Sequence, residues 1–395
     1  MSLGGPAAFK PGEKNEKKSD RFGLSAVAGA ATAAEVELYG TVDTYIAVNH
    51  NAGKTDVSLR SGGASASFWG IKGTEDIGPD LKAIFKLESA FLTDTGDFPD
   101  GAGDNGLFSR EAWVGLHSNT WGTLSFGRQY TPHFLTWAMT DPTDLSLGSA
   151  YSPFFFPMPT GVNGEVNDSL VRHDNSVLYV SPRMAGVQLF AYAALGEETD
   201  EETGQITGSE DGNVYNIAAN YVNGPLFVMA SVLYQDYSGN KNTNLGYVLD
   251  GSSKTPGEKQ TNGHGMYYNL GVTYDFGVTK LSGAFMYKDG EDTNTVPNFW
   301  VAQIGAATPL WGGRWSVSAA MLSNETQDDA DAYSFGTRYD YPLSKRTKIY
   351  AGYEVVFNDS NAKYSVEAGP DSSLHYTNDW GTTQGQFFMG INHKF

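Results

Sequence analysis

Residues 384–395 read QGQFFMGINHKF, closing on Phe395. Phe387, Met389, Ile391, His393 and Phe395 share one parity, while Gln386, Gly390, Asn392 and Lys394 share the other. A period of two is the mark of a β-strand whose two faces meet different surroundings. In an acidic chain, an apolar row that runs out to a terminal aromatic predicts a face that never meets water.

The same alternation recurs upstream. Val36, Leu38, Val42, Ile46 and Val48 oppose Glu37, Tyr39, Asp43 and Tyr45; Leu81, Ala83, Phe85, Leu87 and Phe91 oppose Lys82, Lys86 and Glu88. Tyr268, Leu270, Val272, Tyr274 and Phe276 oppose Asn269, Thr273 and Asp275. Phe335, Thr337, Tyr339 and Tyr341 oppose Arg338 and Asp340, and Ile349, Ala351, Tyr353, Val355 and Phe357 oppose Lys348, Tyr350 and Glu354. A β-sandwich would alternate in the same way, but its loops would not sort by length. Here short connections (IGPDL, SNTWG, SPRMAG, VNGPL, DFGV, TPLWGG, YPLSKRT) alternate with long polar ones near 49–65, 93–107, 129–174, 196–213, 236–265, 289–298, 324–332 and 358–383. Sixteen antiparallel strands follow, with short turns at one end and long loops at the other, which is the pattern of a transmembrane barrel. Closure removes the sheet edges, and a barrel of this size leaves an aqueous lumen.

Composition agrees. Only 40% of the 395 residues are hydrophobic, and no run reaches the ~18 apolar residues of a membrane-spanning helix. A transmembrane strand needs only ~9–11 residues with every second one apolar. The absence of cysteine excludes disulfides, cysteine-ligated zinc and thiol catalysis, and the formal charge of −19 argues against nucleic acid as a partner. Residues 1–34 pass from basic KNEKKSDR to small, apolar FGLSAVAGAATAA, the order of a signal peptide, although an appended leader would read similarly. The barrel is expected over 35–395.

VELYGTVDTYI, SFWGIKGTEDIGPDLKAIFKLESAF, LFSREAWVGLHSNTWGTLSFGRQYTP, NSVLYVSPRMAGVQLFAYA, YPLSKRTKIYAGY and the terminal GINHKF, in this order, resemble the general porins of Gram-negative outer membranes. That resemblance implies a homotrimer of sixteen-stranded barrels with short periplasmic turns and long extracellular loops, lodged in outer-membrane lipid and lipopolysaccharide. It implies passive diffusion of small hydrophilic solutes and ions, without a cofactor and without enzymatic chemistry. It also implies that Phe395 serves as a signal to the barrel-assembly machinery and that the loop at 129–174 folds inward to narrow the pore.

Asp141, Asp144, Glu165 and Asp168 are then the candidate acids of the constriction, and Lys82, Lys86, Arg110, Arg128 and Arg172 the candidate basic wall, with Lys72 a weaker one. Arg110 has the parity of Ala112, Val114 and Leu116, so either a bulge re-aims it or Trp113 faces lipid. Relatives commonly carry Arg where Phe68 stands in SFWG, which weakens any expectation of strong anion selectivity. The acid-rich stretches LGEETDEETGQITGSEDGN and SNETQDDADAY point instead to weak cation selectivity, with loosely bound divalent cations at the outer loops. Tyr151, Phe154, Phe155 and Phe156 either anchor the inward loop or line a path for amphipathic solutes.

Catalytic motifs lack context. GAGDNG at 101–106 has no strand-to-helix setting, AGKT at 52–55 lacks the earlier glycine of a phosphate loop, and no H-x-x-x-H pair or G-x-S-x-G elbow occurs.

Overall fold

The computed structural model describes residues 35–51, 53–98, 106–155, 170–196, 198–199, 206–208, 212–236, 264–290, 298–366 and 379–395. Its strands are β1 Glu35–Asn51, β2 Lys54–Ser61, β3 Phe68–Gly78, β4 Leu81–Ala90, β5 Glu111–Ser118, β6 Gly122–Tyr130, β7 Arg172–Val180 and β8 Val187–Ala194. A short ladder between β9 Glu198–Thr199 and β10 Ile206–Gly208 stands apart. The series resumes with β11 Val214–Asn223, β12 Leu226–Asp236, β13 His264–Asp275, β14 Lys280–Gly290, β15 Phe299–Leu310, β16 Gly313–Asn324, β17 Ala332–Pro342, β18 Thr347–Asn358 and β19 Gln384–Lys394. Among the described residues between β6 and β7 are the helices α1 Pro132–Thr140 and α2 Ser152–Phe155.

Every pairing in the main sheet is antiparallel, and β19 returns to β1 over Thr41↔Lys394 to Asn51↔Gln384, which closes the barrel. β2 and β3 are two halves of one wall strand: β2 pairs with β1 from Thr44↔Ser61 upward, and β3 from Thr41↔Phe68 downward. The seventeen segments of the sheet therefore make sixteen wall strands. The first long loop expected from sequence, 49–65, is corrected by this geometry. β1 runs to Asn51 and β2 resumes at Lys54, so the polar stretch is mostly strand, and the break falls at residues 62–67 instead. That break turns inward, because the Asp43 carboxylate accepts hydrogen bonds from the backbone N–H of Gly63 (2.9 Å), Ala64 (3.1 Å) and Ser65 (3.3 Å).

Polarity is inverted relative to a soluble fold. Val57, Ile217 and Ile304 point outward at 65%, 65% and 70% exposure, while Asp43, Asn216, Ser316 and Gln386 point inward and are buried. A hydrocarbon solvent outside and a polar interior within account for both sets. Aromatic residues gather at the short-turn end, where Tyr274, Phe276, Trp311, Tyr341 and Phe395 are exposed. Phe395 completes the ladder there, its N–H bonding Gly40 O at 3.1 Å and its O accepting from Gly40 N at 3.3 Å. Two short turns are tied together by Asp80, whose carboxylate accepts from Ser118 Oγ (2.7 Å) and the N–H of Asn119 (2.9 Å) and Thr120 (3.1 Å). Those hydrogen bonds, Ser118 foremost, hold the carboxyl well below its ordinary pKa. Trp311 and Gly312, both at positive φ (50° and 81°), form a two-residue hairpin turn of the kind that matches strand twist. The wall is uneven in height: β4 to β8 have 8–10 residues each, β11 to β19 have 10–12.

Candidate functional site: the loop-narrowed lumen

The connection after β6 leaves the rim and lies inside the barrel. Its root is closed by Thr131 N on Val171 O (2.9 Å) and Thr131 Oγ1 on Leu170 O (2.6 Å). Thr131 also caps α1 by accepting from Phe134 N at 3.0 Å, and Pro132 occupies the first turn, where its missing N–H costs nothing. α1 is buried on more than one face because it is sandwiched between the wall and the rest of the loop; Pro132, His133, Phe134, Thr136, Trp137 and Thr140 are all buried. Trp137 stacks on Tyr151 with ring planes 2° apart, and Phe134 stacks on Tyr130 at 4.9 Å. Phe154 meets Tyr364 edge-on at 5.4 Å. These aromatic contacts join the loop to itself and to the inner wall.

Polar anchors follow the loop from β11 to β18. Asn216 Oδ1 accepts from His133 N (2.7 Å), Gln303 donates to Asp141 Oδ2 (2.7 Å), Ser316 donates to Pro142 O (3.0 Å) and Glu354 accepts from Gly148 N (2.8 Å). Ala150 N donates to Ser318 Oγ at 2.9 Å and its carbonyl accepts from Ser334 Oγ. The tip reaches the inward break in the wall, where Leu147 N donates to Gly63 O at 3.0 Å. Burial of His133 pushes its pKa down to about 3, so the ring is neutral at ordinary pH.

Glycines in the wall make this close approach possible. A Cβ on Gly271 would come within 2.6 Å of Thr140, one on Gly305 within 2.7 Å of Pro142, and one on Gly336 within 2.3 Å of Gly148 O. The loop therefore lies against bare strand backbone, with the Thr140 and Pro142 side chains at β13 and β15 and its own backbone at β17. It hugs the taller wall, with contacts running from β11 to β18.

Arg338 holds the middle of the loop. Its Nη1 donates to Leu147 O (2.8 Å) and Ser146 Oγ (2.5 Å), its Nη2 to Thr143 O (3.3 Å), and its Nε to Asp340 Oδ2 (3.1 Å). At 1% exposure this guanidinium is a buried charge, tolerable only with such a complete set of partners. Sequence reading placed Arg338 and Glu354 on the lumen face but did not connect them to the loop.

The candidate acids occupy different settings. Asp141 is buried: Oδ1 accepts from Thr143 N (2.7 Å), Thr143 Oγ1 (2.8 Å) and Leu145 N (3.1 Å), and Oδ2 from Ser149 Oγ (2.6 Å) in addition to Gln303. It folds the loop and does not face the passage. Asp144, at φ 61°, is open to the lumen, 3.9 Å from Arg314 Nη2. Glu165 and Asp168, like Phe156, lie outside the described residues.

Of the candidate cations, Lys86 and Arg110 meet on the shorter wall. Lys86 Nζ is 2.8 Å from Glu88 Oε1 and contacts Glu111 Oε2, while Arg110 Nε is 3.4 Å from Glu88 Oε2 and its Nη2 donates to Tyr130 OH at 2.7 Å. Arg110 precedes the first residue of β5, so strand parity does not bind it, and it lies 4.9 Å over the Phe68 ring. Tyr39 OH donates to Glu88 Oε1 at 2.7 Å. Glu88 and Glu111 thus share the wall with the cations; strand alternation marks Glu88 as lumen-facing and gives no sign of Glu111. Arg172 flanks the loop root, 5.0 Å over the Tyr130 ring, with Nη1 donating to Ser109 O at 3.4 Å. The β6–β7 ladder shifts register between Gly127 and Gln129, which takes Arg128 out of the parity of outward Phe126; its Nε donates to Ser109 O (2.7 Å) and its Nη1 to Asp174 Oδ1 (2.9 Å). Lys82 sits beside the short turn, paired with Asp76 at 3.3 Å. The structure therefore brings Lys86, Arg110, Arg128 and Arg172 together around Ser109 and Tyr130 at the loop root, and leaves Lys82 apart from them.

A family model described as Gram-negative porin matches residues 23–361. An outer membrane porin protein of Bordetella pertussis is 30% identical over 379 residues, covering 83% of this chain and 90% of its own. Outer membrane porin protein 32 of Delftia acidovorans is 30% identical, covering 87% of this chain and 90% of its own. Among solved structures, an anion-selective porin from Comamonas acidovorans superposes with a TM-score of 0.74 at 25% identity, covering 92% of this chain and 100% of that one. The family match over most of the chain and two relatives at 30% identity, on a chain that folds as a closed antiparallel barrel, show that it belongs to the Gram-negative porins of the outer membrane.

Proposed function

We propose that this porin passes small hydrophilic solutes and ions passively between the inward loop and the β3–β6 wall, with a weak preference for anions. The observation that carries the sign is the set of lumen charges that solvent reaches. Lys72, Lys86, Arg314 and Lys348 are partly exposed on the inner face, against Glu37 and Asp144, whereas Glu88, Glu111, Asp141 and Asp340 are buried in pairs and hydrogen bonds. Rings of accessible charge set selectivity in such pores. The Comamonas relative, an anion-selective porin, supports the same sign. Weak cation preference, the sequence expectation, rests largely on acids at 197, 200–202, 210 and 211 that lie outside the described residues, together with Asp328, Asp329 and Asp331 at the outer rim. No cofactor or catalytic step is assigned; divalent cations, if held, would sit at those outer acids.

Assembly as a homotrimer is part of this proposal. The low wall with Val57 and Leu59 standing outward beside it supplies a face for a second copy, and a solved porin of Vibrio cholerae with this fold is described in a trimer form. Recognition of Phe395 by the barrel-assembly machinery, and contact with lipopolysaccharide at the long-loop end, belong to the same reading.

Reversal potential in a planar bilayer under a potassium chloride gradient tests the sign. An anion-favouring potential that weakens in Arg314→Gln and in Lys86→Gln is expected. A cation-favouring potential in the unmodified protein would overturn the sign and give the acidic outer loops control; absence of stepwise conductance would overturn the pore.

A further inference from the structure

Asp340 stands among three cations on the inner face of β16, β17 and β18. Its Oδ2 is 3.1 Å from Arg338 Nε and 3.4 Å from Arg314 Nη2, and its Oδ1 is 2.8 Å from Lys348 Nζ. The loop brings one more carboxylate, Asp144, whose Oδ2 lies 3.9 Å from Arg314 Nη2, near enough to share its charge and too far for a hydrogen bond. Asp43, across the ladder from Lys348 through Asn392, is spent on the inward break: it accepts from the N–H of Gly63, Ala64 and Ser65, from Tyr350 OH and from Asn392 Nδ2. Counted within ion-pair distance, three cations therefore share two carboxylates.

The three cations are not equivalent. Arg338 is buried and its donors are committed to the loop, so it contributes a charge that salt water hardly screens. Arg314 and Lys348, opposite in parity to outward Trp315 and Ile349, have side chains 40% and 27% exposed to the lumen. Beyond these carboxylates neither has a partner among the described residues, which leaves Arg314 Nε and Nη1 and the rest of the Lys348 ammonium open. Each is the second residue of a strand that leaves a short turn, and Asp144 belongs to the loop. The pair therefore lies on the short-turn side of the loop.

We propose that Arg314 and Lys348 form a binding station for small oxyanions, the phosphate and carboxylate groups of passing solutes; the inference rests on the anion-preferring pore described above and deepens it. Side chains that converge on the two oxygens of Asp340 converge equally on two oxygens of a solute, and the Arg314 fork matches such a group in a way that a lysine ammonium does not. A halide has one centre and gains only the charge. The station thus discriminates among anions, whereas the ring of accessible charge sets only the sign.

Planar-bilayer recording of the full chain in potassium chloride, with inorganic phosphate added at constant ionic strength, tests the station. Phosphate should lower the chloride current along a saturating curve. Arg314→Lys, which keeps the charge and loses the fork, should raise the half-blocking phosphate concentration about tenfold, the equivalent of one charge-assisted hydrogen bond. Arg314→Gln/Lys348→Gln should abolish the block, and Lys345→Gln, a cation of a nearby short turn outside the station, should leave it unchanged. An anion-favouring pore that phosphate does not block, or blocks equally in the Arg314 variants, would overturn the station and leave the selectivity reading standing. Equal weakening by Lys345→Gln would also overturn it, since the effect would then be one of general charge. A saturating block that persists in a cation-favouring pore would support the station while the proposed sign fell.

Discussion

Replacing Arg338 with Met removes the guanidinium that clamps residues 143–147 while keeping much of its packing volume. Lost with it are the hydrogen bonds to Thr143 O, Ser146 Oγ and Leu147 O, and the Asp340 carboxylate loses one of three cations, keeping Lys348 and Arg314, so the full cost of a broken buried pair is an upper bound. Breaking one side of a buried charge pair costs ~3–5 kcal/mol. Against this stand the anchors at His133 N, Asp141, Pro142 O, Gly148 N and Ala150, roughly 1 kcal/mol each in net terms. The remaining anchors are comparable to or larger than the loss, so the loop stays docked on average. Its undocked fraction rises by up to roughly two to three orders of magnitude, one for each ~1.4 kcal/mol. Single-channel recording reads this directly: the variant should show frequent excursions to a different conductance where the parent trace is steady. Arg338→Met/Asp340→Asn should be no steadier than the single variant, because Asp340 keeps Lys348 (2.8 Å) and Arg314 (3.4 Å) when Arg338 is lost and the loop carbonyls remain unserved in both. An Arg338→Met trace as steady as the parent's would refute the idea that this guanidinium holds the loop.

Acidification should loosen the same loop. Burial holds His133 near a pKa of about 3, below the ordinary ~6.5 of an exposed imidazole, so the undocked state binds the extra proton between these values. Docking is therefore fully supported above about pH 6.5 and loses up to ~1.4 kcal/mol per unit as pH falls toward 3; His133→Gln should flatten the pH dependence of channel noise over that window. Gly336→Val should displace the loop, because the new Cβ would fall 2.3 Å from Gly148 O, and conductance should shift without loss of the folded barrel on heat-modifiability gels. On the lipid face, Ile304→Lys, at a residue 70% exposed, should cost ~2–4 kcal/mol of folding into vesicles if it lies near the bilayer midplane. A urea titration that finds no loss would place Ile304 outside the hydrocarbon.

The barrel was legible in sequence because its information is local and repeated. Side-chain period two assigns Ile391 outward and Asn392 inward from spacing alone, and membrane hydrocarbon demands the apolar set outside. Even the inward face of Arg338 and Glu354 could be read this way. Partners separated by most of the chain could not. Asp141 looked like a free eyelet acid, yet Gln303, 162 residues away, and its own loop backbone take its oxygens. Arg110 seemed misdirected by parity until the structure showed it ahead of the ladder, and the break at 62–67 was hidden within residues read as a long loop. What sequence determined by itself was a sixteen-stranded membrane barrel with a long loop after its fifth wall strand. What only the tertiary structure decided was which charges that loop consumes and which it leaves in the passage, since burial and pairing depend on distances that no strand's own pattern contains.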